Sequence, residues 1–218
     1  MLISLLREDP LAFFLIAVAL VFALVLHELA HGLAARAFGD DTAERAGRLS
    51  LNPLAHLDPL GTLLLLTVGF GWARPVPINP YRFRNYRAGL FVVSIAGILV
   101  NLGLAVGGAL ALKGLATLDP QAVYLAYRGG HSPVGTLALA LYFFVSINLV
   151  LAVFNLIPIP PLDGSKILQS LLPLRYHRVF WQLERYGWVT FLLILTVLRG
   201  PIEAVIGWSQ RAFLGLFF

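Results

Sequence analysis

Cysteine is absent from this 218-residue chain, methionine occurs once, and charged residues make up only 12%. Without thiols there is no disulfide framework, no cysteine-ligated metal site and no thiol nucleophile, so histidine and carboxylate are the metal ligands left. Acidic residues are scarce, 11 against 16 Lys and Arg, for a formal charge of +5. The cations lie mostly outside the apolar runs, and no base-stacking motif accompanies them. They therefore speak to membrane topology and anionic lipid, and no nucleic-acid partner is expected. What is abundant is apolar: 59% of residues, with a mean hydropathy of +0.83. That is well above the soluble range and makes the lipid bilayer a partner of the chain. The length suits one membrane domain over 1–218.

The expected fold is an all-α polytopic membrane protein with about four transmembrane helices and a re-entrant, extended segment between the first two. The apolar runs 11–38, 89–112, 134–156 and 188–198 are the candidate spans, the last of them short. The first lacks a small-residue cleavage site and is read as a retained helix. Gly200-Pro201 ends the fourth, and the aromatic tail 202–218 is expected along the interface. The run 57–72 is too short for a comfortable helical span. It leads into Trp72-Ala73-Arg74-Pro75-Val76-Pro77-Ile78-Asn79-Pro80, whose prolines favour extended backbone. Irregular backbone at membrane depth needs cover from protein or an aqueous cavity. If 57–72 does not cross, 11 of the 16 cations share one side, which the positive-inside rule makes cytoplasmic. Gly103, Gly107 and Gly108 are read as sites of close helix packing.

Near the end of the first run stands His27-Glu28-Leu29-Ala30-His31. Histidines four apart share a helix face and can hold one zinc ion, with the intervening glutamate placed to take a proton from water. In a soluble helix the same letters are as often a solvated face. Residues 11–26 carry no charge, so here there is no solvated face, and ionisable groups in such a setting point to function. After the third run comes Asn155-Leu156-Ile157-Pro158-Ile159-Pro160-Pro161-Leu162-Asp163-Gly164. Taken alone this is an ordinary Pro-rich helix terminus about half the time. However, a zinc on two histidines needs a third protein ligand, and Asp163 offers a hard oxygen. The two motifs reach one face only if 57–72 is re-entrant.

With these motifs in order, the chain resembles the site-2 protease family of intramembrane zinc metalloproteases. The segment Ile95-Ala96-Gly97-Ile98-Leu99-Val100-Asn101 is also similar to a family helix start, with Ile98 where proline is usual. The resemblance covers the first helix to about Gly164, a catalytic core of about 10–165. Beyond it lie a C-terminal helix and interfacial tail, 166–218, with no room for a PDZ or CBS domain. It implies one zinc ion bound by His27, His31 and Asp163, with Glu28 activating water and Asn155 orienting the substrate or stabilising the oxyanion. It further implies peptide-bond hydrolysis in or near transmembrane segments of membrane proteins, as in regulated intramembrane proteolysis. The setting expected is the cell membrane, with the site toward the cytoplasm.

His56 and Asp58 are candidates for contact with the site or for gating, and Asn101 for contact or for tying helices together. The extended 72–80 segment offers an edge to an unwound substrate strand. Two other functions compete: a metal-binding transporter using the histidines as a transit site, and an inactive relative that only binds substrate. A transport path needs polar groups through the full membrane, which 11–26 does not supply, and binding alone does not require Glu28.

Overall fold

The computed structural model describes residues 2–68, 71–129, 132–187, 189 and 196–218. Among these residues the regular elements are helices, and the one β-type pairing is an isolated bridge. The chain begins with α1 (Leu2–Glu8) and α2 (Pro10–Ala37). The Asp9 carboxylate caps α2 by accepting the Ala12 N–H at 2.9 Å, and Pro10 fills a first-turn position whose N–H has no helical partner. Gly39 ends the helix with φ of 102°, a left-handed conformation that glycine adopts without penalty. A single turn, α3 (Thr42–Arg45), follows, and then α4 (Pro59–Val68).

α4 has 10 residues, about 15 Å of helix, half of what a bilayer crossing requires. The chain then returns to where it started. Leu57 bridges Ala73, and the Arg74 N–H donates to the His56 carbonyl at 2.8 Å. Gly61 lets α4 lie on the returning strand, since a Cβ there would sit 2.2 Å from the Trp72 carbonyl oxygen. The expected re-entrant segment is therefore observed, although residues 69 and 70 at its tip lie outside the described residues.

Among the described residues, three helices are long and apolar enough to cross a membrane: α2, α5 (Tyr86–Leu118) and α7 (Pro133–Asn155). Asn85 caps α5 and Ser132 caps α7, each accepting an N–H from three residues on. Between them Asp119 caps the short α6 (Pro120–Tyr127). α5 packs against both α2 and α7. The buried face of α2 steps by four residues through Ala19, Ala23, His27, His31 and Ala35, while Phe14, Val18 and Phe22 remain exposed, as lipid-facing side chains should be. Where α5 meets α7, Ala105 and Ala109 pack on Val145 and Leu149. Of the three glycines expected to permit close packing only Gly108 does so, since a Cβ would lie 2.9 Å from Val145. Gly103 and Gly107 face open space.

Past α7 come α8 (Asp163–Leu171), α9 (His177–Arg185) and α10 (Arg199–Leu214). The fourth expected span, 188–198, falls largely outside the described residues. Phe213, Leu214 and Phe217, at the end of the expected interfacial tail, pack against the Ala105–Val145 cluster of the spanning helices. Their apolar surface is thus covered in part by the bundle.

Candidate metal centre and active site

The end of α2, the start of α5 and the end of α7 lie together, and the turn after α7 delivers Asp163 to the same place. His27 Nε2 and His31 Nε2 are 3.0 Å apart, and Asp163 Oδ2 lies 3.2 and 3.1 Å from them. Both histidines are buried. Each imidazole turns its other nitrogen to an acceptor: His27 Nδ1 is 2.6 Å from Asn101 Oδ1, and His31 Nδ1 is 2.7 Å from the Val93 carbonyl. Nδ1 therefore carries the hydrogen, and Nε2 presents a lone pair. Two lone pairs and a carboxylate oxygen that has no hydrogen-bond partner meet at these distances. Such a meeting is repulsive unless a cation lies among them. Ligands about 2.0–2.1 Å from a tetrahedral zinc are roughly 3.3 Å from one another, so the spacing and the donor set both fit that ion.

The orientation of His27 is set from across the bundle. Asn101 Nδ2 donates to Asn148 Oδ1 at 2.8 Å, and Asn148 Nδ2 donates to the Phe144 carbonyl at 2.8 Å. Both asparagines are fully buried, and the chain of donors runs from the ring on α2 through Asn101 on α5 to Asn148 on α7. Asn101 thus ties α2, α5 and α7 together and touches the His27 ring at once. Gly97 supplies the room: a Cβ there would lie 2.6 Å from His27 Nδ1, His27 Cε1 and His31 Nε2. Gly164 does the same for α8, because a Cβ would meet the Leu156 and Ile157 carbonyls at 2.3 and 2.5 Å.

Glu28 Oε2 accepts the Val76 N–H at 2.8 Å. That bond fixes one carboxylate oxygen and leaves the other for a proton. The extended segment bearing Val76 is braced on both sides. The His56 carbonyl holds Arg74, Arg48 Nη2 donates to the Arg74 carbonyl at 2.7 Å, and buried Asp40 accepts the Asn79 N–H at 2.6 Å. Pro75 and Pro77 have no N–H to offer a partner strand, and those of Arg74 and Val76 are engaged, so this edge presents chiefly carbonyls.

A cavity of about 340 Å³ joins these parts, lined by His27, Glu28, His31 and Asp163, by Val76 with its neighbours, by Asn155, and by residues of α8 and α9. Asn155 faces it while its Nδ2 donates to the Leu151 carbonyl at 3.0 Å. His56 and Asp58 do not line it. The His56 ring is buried with Nε2 2.7 Å from the Ser50 carbonyl, and Asp58 caps α4 through the Gly61 N–H at 2.7 Å. Their connection to the site runs through the strand they brace.

Sequence reasoning passed over Asn148, Val76 and Asp40. Asn148 carried a signal, being one of three asparagines, with Asn101 and Asn155, in the uncharged apolar runs 89–112 and 134–156, where an unpaired amide is unfavourable. Val76 acts through its backbone, which leaves no mark in the side-chain pattern.

Known proteins show similarity over this same architecture. Residues 121–198 match Peptidase family M50. The chain is 40% identical over 199 residues to a Bacillus subtilis protein named "Putative zinc metalloprotease YwhC", covering 89% of this chain and 84% of that protein. It is 29% identical over 194 residues to "Putative zinc metalloprotease Rip2" of Mycolicibacterium smegmatis, covering 87% of this chain and 68% of that one. A Mycobacterium tuberculosis protein of the same name is 29% identical over 211 residues, with 92% and 76% covered. No solved structure matches the chain. Identity at this level across most of both lengths, on a bundle with three helices able to span a membrane, means that the chain belongs to peptidase family M50, the site-2 protease family of integral membrane zinc metalloproteases.

Proposed function

We propose that this metalloprotease is of the HExxH type and hydrolyses peptide bonds in or near transmembrane segments of membrane-protein substrates, so serving regulated intramembrane proteolysis. The convergence of His27, His31 and Asp163 beside Glu28, in one cavity among the spanning helices, carries this reading. His27 and His31 lie ten and six residues inside the end of α2, about 15 and 9 Å along the helix. A peptide bond reaching them is thus one within or close to the hydrocarbon layer.

His27, His31 and Asp163 hold a single zinc ion. That ion, when bound, polarises the scissile carbonyl and acidifies water. Glu28, steadied by Val76, takes the proton of the attacking water at its free oxygen and passes it to the leaving amine. Asn155 orients the substrate backbone at the cavity wall. The substrate unwinds locally, because a helical peptide bond is shielded by its own hydrogen bonds. Purified protein in nanodiscs should cleave a membrane-spanning peptide within or beside its apolar segment. Cleavage should stop with chelator and return with zinc. Cleavage confined to soluble loops far from that segment would refute the substrate class.

The transporter reading is disfavoured by the absence of titratable side chains in 11–26 of α2. The inactive-relative reading is disfavoured by the hydrogen bond that sets Glu28 in place.

The active site faces the cytoplasm of the cell membrane, with cations concentrated on that side. In this cysteine-free chain, single cysteines replacing Arg45, Arg82 and Arg175 should react with an impermeant thiol reagent only from the cytoplasmic side, and one replacing Arg128 only from outside. Opposite labelling of positions 45 and 82 would mean that 57–72 crosses the bilayer.

A further inference from the structure

Gln169 lies on α8, six residues beyond Asp163, and lines the same cavity as the three metal-binding candidates. It is 4% exposed, and its Nε2 has no hydrogen-bond partner. A buried amide donor without a partner is unfavourable, and groups left so are found where a ligand or water completes them. The helix that carries it is anchored at both ends. Gly164 sits tight against the Leu156 and Ile157 carbonyls, and Arg87 Nη2 donates to the Leu172 carbonyl at 3.3 Å. The helix carrying the donor is therefore held in place before any substrate arrives.

The extended segment around Val76, which lines the same cavity, shows what the donor is for. The strand around Val76 offers carbonyls but almost no free N–H, because Pro75 and Pro77 have none and Arg74 and Val76 have spent theirs. An unwound peptide in the cavity would find acceptors for its N–H groups there and few donors for its own carbonyls. Six residues of helix span about 9 Å, and an extended chain advances about 3.3 Å per residue.

We propose that Gln169 is a substrate-binding residue whose side-chain amide donates to a backbone carbonyl of the unwound substrate, about three residues from the scissile bond. The inference rests on the protease reading of the site and names one contact by which that site grips its substrate. Because every residue has a backbone carbonyl, this contact gives affinity without regard to side-chain sequence, which suits an enzyme acting on apolar segments.

The test uses the full chain in nanodiscs and a fluorescent synthetic membrane-spanning peptide. One set of peptides replaces single backbone amides by esters, whose carbonyls are weaker acceptors. Binding is measured on a Glu28→Gln background, so that cleavage does not interfere, and turnover is measured separately with Glu28 intact. Gln169→Met keeps the length of the side chain and removes the donor, and Gln169→Glu keeps length and polarity but also lacks the donor. Both should weaken peptide binding roughly fivefold to tenfold, the range for one neutral hydrogen bond, with zinc content unchanged. One ester position should weaken binding to the Gln169 protein by a similar factor and have no further effect on the Met variant. Wild-type affinity in either variant overturns the proposal, as does an ester effect of equal size with and without Gln169. If Gln169→Met fails to fold, Gln169→Glu decides. Gln169-dependent binding without turnover by the Glu28 enzyme would sink the protease reading while sustaining this contact, and turnover with Gln169-independent binding would do the reverse.

Discussion

Glu28→Gln is expected to bind zinc as fully as the parent protein and to hydrolyse a membrane-spanning peptide some 10²- to 10⁴-fold more slowly, the usual contribution of a positioned general base. The glutamine carbonyl can still accept the Val76 N–H that now holds Glu28 Oε2, so the side chain keeps its place. What it loses is the ability to take a proton at the other position. Metal content by mass spectrometry and single-turnover kinetics check the two halves separately. Turnover within tenfold of the parent, or loss of the metal, would remove Glu28 from its assigned role.

Gly97→Ala is expected to lower zinc affinity by at least about a hundredfold without touching a ligand. The added methyl would stand 2.6 Å from His31 Nε2 and from two atoms of the His27 ring, well inside van der Waals contact. Neither ring can yield freely, because Asn101 and the Val93 carbonyl hold their Nδ1 atoms. Disturbing the groups that orient metal ligands costs 10- to 100-fold in affinity, and direct collision with a ligand nitrogen lies at or beyond the upper end. Zinc competition with a chromophoric chelator measures the loss. Parent-like affinity would show that α2 and α5 separate readily, and that the close approach seen here is not needed to form the site.

The candidate metal centre was readable in the sequence because its chemistry is rare in its surroundings. His27, Glu28 and His31 follow sixteen uncharged residues, 11–26, and a polar cluster in such a setting calls for an explanation by function. The spans were legible for a similar reason, since length and hydropathy set them, and α2, α5 and α7 fall on three of the four expected runs. The turn at 57–72 was legible from its shortness and its prolines. Less visible were contacts that depend on which faces meet. Of three glycines close in sequence, only Gly108 meets a neighbouring helix, because helix rotation, which composition does not encode, decides which one points inward. Val76 reaches Glu28 across 48 residues through a backbone N–H, and every non-proline residue has one. His56 and Asp58, candidates for contact with the site or for gating, brace the re-entrant turn and do not line the cavity.

The central claim is that one zinc ion, held by His27, His31 and Asp163, makes this bundle a peptidase. It is tested most directly by titrating metal-free protein with zinc while following both bound metal and cleavage of a membrane-spanning peptide. Activity should rise in proportion to bound zinc and stop at one equivalent. Asp163→Ala should bind zinc weakly and stay inactive, because two histidines alone leave the ion under-coordinated by protein, whereas His56→Ala, when folded, should titrate like the parent. An activity break at two equivalents, or Asp163→Ala filling as readily as the parent while His56→Ala does not fill, would contradict the account.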